Sequence, residues 1–333
     1  MSIIRTIKGK VIYTDGSVRL ISRGLDVYSQ RNNNKKEKLV VSLPSTKIDR
    51  LFSKSRLLSR LLRLGVHHYL KTRDDEIFFF NKSIYSLKHN KVLQVFGSRP
   101  LCVCSDKSGN IYYGRYHSNV NRGITSEVFR IDANDLSVSV FCEFDDVRHI
   151  HGVFFDEFTN RIWVTTGDVG SECGIWVLDN QGNKAKFIGG GQQERAVALL
   201  FSESSIYYGT DSPLEQNYIY KIDRTTRERQ ELTPVSGSVF YAIKAQGCYY
   251  FSTVVEPSDV NKSKYVELWK YSERASKIFE TKKDIYPLKL FQYGQLTFPL
   301  TVKDSLLHVF CSGVNSDGNT LIFDFVESEE IDN

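Results

Sequence analysis

A four-stranded pattern that recurs through most of the chain constrains the fold more than any other feature of the sequence. Each copy has a strand that begins with polar residues, a turn, a very aromatic strand, a polar loop, a third strand that usually ends in Asp, and a final strand. The third strands end at Asp132, Asp179, Asp223 and Ser272, which lie 47, 44 and 49 positions apart. A four-stranded unit that recurs about every 40 to 50 residues is typical of a β-propeller blade.

The composition agrees with an all-β fold. The chain has 21 Phe and 18 Tyr against one Met, and aromatic residues favour extended strands over packed helices. The aromatic second strands are Ile111–Gly114, Ile162–Thr165, Ile206–Gly209 and Tyr249–Ser252. We therefore predict a single β-propeller domain over residues 1–333.

The ends of the chain decide the number of blades. Ile77–Phe80 with Ile84–Leu87 forms a shorter blade, and Gly294–Phe325 forms a last one without a clear fourth strand. Ile3–Ile7 would supply that strand and close the ring. With Lys10–Ser42 as a further blade the prediction is seven blades; six is the alternative, because the amino-terminal pattern is weak. Residues 327–333 form an acidic tail.

Residues 47–64 break the strand pattern and predict one inserted amphipathic helix. Its apolar face consists of Ile48, Leu51, Phe52, Leu58, Leu61 and Leu62, and its opposite, basic face consists of Arg56, Arg60 and Arg63. A helix inserted into a β protein usually packs its apolar face on the sheets, so we expect the leucines to be buried and the arginines to face water. The alternative is that the helix makes a peripheral contact with a membrane surface.

Other classes of protein are disfavoured. The amino terminus has no apolar segment long enough for a secretory signal, and no segment approaches the ~20 apolar residues of a membrane span, so we expect a cytoplasmic monomer. The six cysteines lack disulfide or zinc spacing and are predicted to be buried free thiols. A net charge of +5 is too small to indicate a nucleic-acid partner, although it leaves an anionic partner open.

The repeat places polar residues of several blades on one face. In a propeller, the starts of the inner strands and the loops after the second strands meet at one central funnel. The inner-strand starts contribute Arg99, Arg148, His149, His151, Gln192, Arg195, Tyr241 and Tyr293, and the loops contribute Tyr116, His117, Asp168, Asp211 and Glu256. Because ligands commonly bind in such a concave polar site, this funnel is the predicted functional site.

The histidines and arginines of the funnel allow more than one chemistry. His149 and His151 are two apart on a strand and share a face, so they could ligate a divalent metal with His117, or one could act as a general base. They could equally hydrogen-bond a ligand or the protein, and no cofactor is required. Arg99, Arg148 and Arg195 could present guanidinium groups to a carboxylate or phosphate.

Several segments resemble a known family. Trp176–Asp179 and Asp317–Thr320 are similar to incomplete copies of the Asp-box turn, S-x-D-x-G-x-T-W. The runs SRLLRLGVHH, RHIHGVFFD, IWVTTGD, GGGQQERAV, YYGTDSP and YGQLTFP resemble a group of bacterial and archaeal BNR-type, sialidase-like propellers. The resemblance extends from the arginine-rich helix to Pro299 and implies a propeller and an association with carbohydrate, not a particular reaction.

Two functions remain open. The first is a carbohydrate-active enzyme on an acidic glycan: a glycosidase with Asp168, Asp211 or Glu256 as its carboxyl groups, or a lyase with His151 or a tyrosine as base. The second is a non-catalytic binding or scaffold propeller that acts with polysaccharide-assembly proteins at a membrane. Absence of G-x-S-x-G and H-E-x-x-H argues against a serine hydrolase and a zincin.

Overall fold

The computed structural model describes residues 2–31, 34–300 and 305–324. It is an all-β protein and a β-propeller, as the repeat predicts. The acidic tail at 327–333 lies outside the described residues.

In the described part of the chain, the strands form five separate four-stranded antiparallel sheets and one eight-stranded sheet. The eight-stranded sheet consists of two four-stranded units joined by a short strand pairing, which makes seven four-stranded units in all. In chain order they are β1 (Ile3–Lys8), β2 (Lys10–Thr14), β3 (Val18–Arg23), β4 (Asp26–Arg31), β5 (Glu37–Ser42), β6 (Val66–Lys71), β7 (Glu76–Phe80), β8 (Ser83–Ser86), β9 (Lys91–Gln94), β10 (Val103–Ser105), β11 (Ile111–Gly114), β12 (Ser126–Ile131), β13 (Val138–Phe144), β14 (His149–Asp156), β15 (Arg161–Gly167), β16 (Gly174–Leu178), β17 (Lys184–Gly189), β18 (Ala196–Phe201), β19 (Ser205–Thr210), β20 (Asn217–Asp223), β21 (Arg229–Val235), β22 (Val239–Ala245), β23 (Cys248–Val255), β24 (Tyr265–Tyr271), β25 (Ala275–Lys282), β26 (Gly294–Thr297), β27 (Leu306–Ser312) and β28 (Asn319–Asp324).

Strand β1 closes the ring, as predicted. The units from β2 to β25 are sequential, and the last consists of β26, β27 and β28 with β1 paired to β28. Ile7 of β1 lies opposite Thr320, whose hydroxyl donates to the carbonyl of Gly9 at 2.7 Å and accepts from the amide of Val11 at 3.0 Å. One side chain thus links the last unit to the first.

The aromatic second strands form the core between neighbouring units. Phe79 of β7 packs edge-on against Tyr113 of β11 at 5.9 Å between ring centroids, and Tyr207 of β19 stacks on Tyr249 of β23 at 3.9 Å. Alternate side chains of each strand point to opposite faces, so a unit packs one face on the preceding unit and the other on the following unit. The aromatic runs that define the repeat are therefore the contacts that hold the ring together.

The segment at 47–64 is helical, but the prediction of one continuous helix is wrong. It forms α1 (Lys47–Ser53) and α2 (Arg56–Leu62), and a third short helix, α3 (Leu288–Phe291), precedes β26. The break follows from side-chain capping: Ser55 accepts from the amide of Leu58 and starts a new helix in place of continuing the first. No helix among the described residues is both long and apolar enough to span a membrane.

The orientation predicted for this segment is also wrong. Arg60 is buried and binds Asp284 at 2.6 Å and Asp317 at 3.4 Å, and Arg56 binds Asp317 at 2.7 Å. Several members of the predicted buried face are instead exposed: Ile48, Leu51, Leu61 and Leu62. Arg56 and Arg60 face the protein because carboxylates from distant loops meet them there, which offsets the cost of burying their charge, whereas Arg63 is exposed as predicted.

The six cysteines are free thiols, as predicted. Cys142, Cys173 and Cys311 are buried, whereas the other three, Cys102, Cys104 and Cys248, are only partly buried.

Candidate functional site

The funnel lies on the face where the inner strands β2, β6, β10, β14, β18, β22 and β26 begin. Among these strands, β14 starts with two ionisable side chains that line the funnel, His149 and His151. Asp168, Asp211 and Glu256 follow directly after β15, β19 and β23. Since second strands end on the face where inner strands begin, the antiparallel blade topology alone brings these groups together. The cavity has a volume of about 1510 Å³.

Asp168 is the centre of a buried charged cluster. Its carboxylate is hydrogen-bonded to His151 Nε2 at 3.2 Å and forms ion pairs with Arg195 Nη2 at 3.2 Å and Arg148 Nη1 at 3.0 Å. His149 Nε2 lies 3.7 Å from the same carboxylate. Burial alone would raise the pKa of Asp168, but the hydrogen bond from His151 and the charge of Arg195 hold it well below its usual range. Asp168 therefore stays ionised at neutral pH.

Arg195 joins this carboxylate to a second one. Its Nε donates to Asp211 at 3.1 Å while Nη2 contacts Asp168, so the two carboxyl groups share one guanidinium. Burial raises the pKa of Asp211 despite the opposing effect of Arg195. Two neighbouring carboxyl groups thus have pKa values shifted in opposite directions.

Glu256 is the third carboxyl group of the site. Burial, followed by the negative charge of Asp211, raises the pKa of Glu256. The hydroxyl of Tyr293 donates to this carboxyl group, and burial beside it raises the pKa of Tyr293 well above its usual value. Tyr241 donates through its hydroxyl to Gln295 at 2.9 Å. Glu256 is therefore a group that holds a proton at higher pH than an ordinary glutamic acid does.

His149 is a neutral histidine under ordinary conditions. Burial, followed by the positive charge of His151, lowers the pKa of His149 to about 3. The ring of Tyr116 packs edge-on against it at 4.6 Å, and the His151 ring lies 4.9 Å away. An imidazole with so low a pKa is uncharged at neutral pH but is a weak base, so His149 is better suited to hydrogen bonding than to proton abstraction.

The residues predicted to hold a metal are only partly brought together. In the described part of the chain, ligand atoms of His149, His151 and Asp168 lie within 4.8 Å of one another, and His117 is not part of this group. His117 is also not among the described residues that line the funnel. Arg148 and Arg195 bind the same carboxylate, and two fixed positive charges there oppose a divalent cation. The donor set fits a metal poorly, and metal binding stays a prediction.

Of the other predicted residues, Gln192 supports the Asp168 cluster from behind and Arg99 lies apart from it. Gln192 lies behind the cluster, where its amide donates to the backbone carbonyl of Asp168 at 2.8 Å. Arg99 lines the funnel but donates to His67 at 3.1 Å and to the carbonyl of Leu62. The predicted triad of arginines is therefore a pair, Arg148 and Arg195, with Arg99 in a different contact group.

Arg99 lies in a group of basic residues whose other members, Lys10 and His67, the sequence prediction missed. Lys10 donates to the carbonyls of Val66 and His67, and burial and the nearby Arg56 lower the pKa of Lys10 to about 8. Burial also holds the pKa of His67 well below its usual value. Lys10 and His67 lie at the start of the inner strands β2 and β6. The expectation that inner-strand starts face the funnel would have identified both residues if it had been applied to the first two units.

Basic residues outnumber acidic ones along the funnel. Twelve of its lining residues are Lys or Arg and six are Asp or Glu. The lining of the funnel therefore carries more basic than acidic side chains.

Comparison with known proteins identifies the fold and no more. No known protein family and no curated protein matches the chain. A chain in a structure titled "Crystal Structure of Mitotic Checkpoint Complex" is similar over 98% of this chain and 95% of its own length, with 10% identity and a TM-score of 0.57. A chain of a nidogen/laminin complex is similar over 71% of this chain and 85% of its own, with 11% identity and a TM-score of 0.47. The first of these likenesses supports the propeller architecture.

Proposed function

We propose that the protein is a glycoside hydrolase that binds an acidic carbohydrate in its funnel. The observation that carries the proposal is the pair of carboxyl groups on Arg195, one with a lowered and one with a raised pKa. Glycosidases use two carboxyl groups, an acid that protonates the leaving oxygen and an anion that acts as base or nucleophile. Environments that push two neighbouring pKa values apart are what assign these two roles.

The geometry suggests which residue has which role. Asp168 stays ionised and can stabilise positive charge that develops on the sugar ring. Asp211 or Glu256, each with a raised pKa, would donate the proton to the leaving group. Tyr293, hydrogen-bonded to Glu256, resembles the tyrosine and glutamate pair of sialidases, in agreement with the sequence resemblance.

The positive charges that line the funnel support an anionic ligand. Arg148 is about a third exposed at its side chain and can offer a donor to a bound carboxylate while it keeps its contact with Asp168. Tyr116, Tyr241, Tyr293 and Phe240 line the same cavity, and aromatic rings with a few polar groups are the usual lining of a ligand site.

The test is incubation with a panel of uronate- and sialate-containing oligosaccharides, followed by mass spectrometry. Hydrolysis adds one water to the products, and Asp168→Asn and Glu256→Gln should each reduce turnover by about 100-fold or more. Lys38→Gln, an exposed substitution on β5, is the control and should leave turnover unchanged. Unaltered oligosaccharides with every sugar in the panel would contradict the proposal.

The same experiment separates the alternatives. A lyase, with His151 or a tyrosine as base, gives an unsaturated uronate with no added water. A scaffold binds an acidic sugar without changing it, or binds none. The apolar surface expected of a scaffold is present near α1 and α2, so binding without turnover would favour that second function.

A further inference from the structure

The two helices α1 and α2 present their apolar side to solvent. Ile48 and Leu51 are 64% and 65% exposed, and Leu57, Leu61 and Leu62 are exposed as well. Their polar side faces the protein: Arg50 binds Asp26, and Arg56 and Arg60 bind Asp317. An exposed apolar surface of this kind marks a contact with another molecule or a membrane.

A second segment extends the same surface. The loop before α3 and α3 itself expose Ile285 at 96% and Leu290 at 58%. Arg60 holds this segment against α2, since it binds Asp284 and donates to the carbonyl of Phe291. The apolar rim, defined as Ile48, Leu51, Leu57, Leu61, Leu62, Ile285 and Leu290, is therefore built from two segments far apart in sequence.

The charges around the apolar rim are mostly positive. Exposed cations of the two segments are Lys47, Lys54, Arg63 and Lys289. Of the two carboxylates there, Asp284 is bound by Arg60 and Lys283, which leaves Asp49 as the remaining acid among the described residues of these segments. An apolar surface with a basic border is complementary to a bilayer that carries anionic lipids.

We propose that the apolar rim docks the protein on an anionic membrane surface. The side chains protrude from helix surfaces and a loop, as Ile285 shows, which suits insertion among acyl chains better than a fit into a partner protein. Helices α1, α2 and α3 precede inner strands, so they lie on the funnel face, and docking brings the funnel mouth to the membrane. Docking does not depend on the proposed hydrolase; together, the two imply a substrate whose acidic glycan is attached to a lipid.

The test is co-sedimentation of the full chain with vesicles of phosphatidylcholine, alone or mixed with phosphatidylglycerol. We expect binding to the mixed vesicles that weakens with salt, because exposed charges are screened. The double substitutions I48S/L51S and I285S/L290S should each lower the partition coefficient about tenfold, because serine removes aliphatic surface that would enter the bilayer. K47Q/K54Q/K289Q should lower binding to mixed vesicles and not to neutral ones.

The matched control is L39S/V92S, which removes two exposed aliphatic side chains from the outer strands β5 and β9. It should bind vesicles as the wild type does. Unchanged thermal unfolding would show that the rim variants are folded.

Three results would overturn the proposal: no binding of the wild type to mixed vesicles, equal loss in the control, or self-association in ultracentrifugation that I48S/L51S abolishes without vesicle binding. The last result would assign the rim to a contact between copies of the chain. Turnover of a free oligosaccharide does not involve the rim, so failure of docking is distinguishable from failure of the hydrolase.

Discussion

Replacement of Asp168 by Asn tests whether one buried carboxylate organises the site. The change keeps the shape of the side chain and removes the charge that Arg148, Arg195 and His151 share. Loss of one partner of a buried ion pair usually costs 3–5 kcal/mol. Arg195 retains Asp211 and Arg148 is partly exposed, so we expect about 3 kcal/mol, the lower end of that range.

The assay is urea unfolding at neutral pH. The dependence of the free energy of unfolding on urea concentration is taken to have the same slope for the wild type and the variant. With a slope of about 3 kcal/mol per molar, a loss of about 3 kcal/mol moves the midpoint down by about 1 M. The control is Asp179→Asn, which removes an exposed carboxylate of the same blade that bonds within its own turn, and it should move the midpoint much less.

The dependence on pH is a second check. The pKa of Asp168 is lower in the folded chain than in the unfolded chain, so its contribution is present above the unfolded value of about 3.9 and is lost as pH falls through the folded value. The difference between wild type and D168N should therefore shrink as pH decreases below about 4. Equal effects of D168N and D179N, or a difference that grows at low pH, would refute the reasoning.

Three further predictions concern other parts of the molecule. Asp156→Asn removes a fully buried carboxylate that binds Arg224 through two bonds of 2.6 and 3.0 Å, and should lower the free energy of unfolding by about 3–5 kcal/mol in the same urea assay; a loss under 1 kcal/mol would contradict this. Gly182→Ala should destabilise by more than about 2 kcal/mol, because φ is +85° and a Cβ would lie 1.9 Å from the carbonyl oxygen of Phe141, whereas Gly123→Ala, with open space, should be near neutral. Tyr293→Phe removes a hydrogen bond that lowers the pKa of Glu256, so the alkaline limb of a pH–rate profile governed by Glu256 should move to higher pH; a move to lower pH would exclude Glu256 as the acid.

The sequence predicts the fold and the position of the site because both follow from a local period. Strand alternation and the 40- to 50-residue repeat place Arg195 at an inner-strand start and Asp168 after a second strand, and the structure brings these together. The pairing of charges is not local. That Asp168 would neutralise both Arg148 and Arg195, and that Arg99 would bind His67, depends on side-chain directions that a repeat does not specify.

The helical segment shows the same limit more sharply. Its periodicity correctly indicates helix, yet which side faces the protein depends on Asp284 and Asp317. These lie 224 and 261 positions from the arginines they bind, so no window around the helix contains them. Without them, burial of Arg60 would be costly and the leucines would be the natural inward face.

The pairing of β1 with β28 also governs how the chain can fold. The Thr320 hydroxyl and the Gly9 carbonyl that it contacts are 311 positions apart, which makes this one of the least local contacts in the molecule. Loop closure over such a distance is entropically costly, and folding is slowest for contacts of this kind. Until β1 arrives, β28 offers an open strand edge that another chain could occupy. Ring closure is therefore the step at which dilution and chaperones would most improve the yield of native protein.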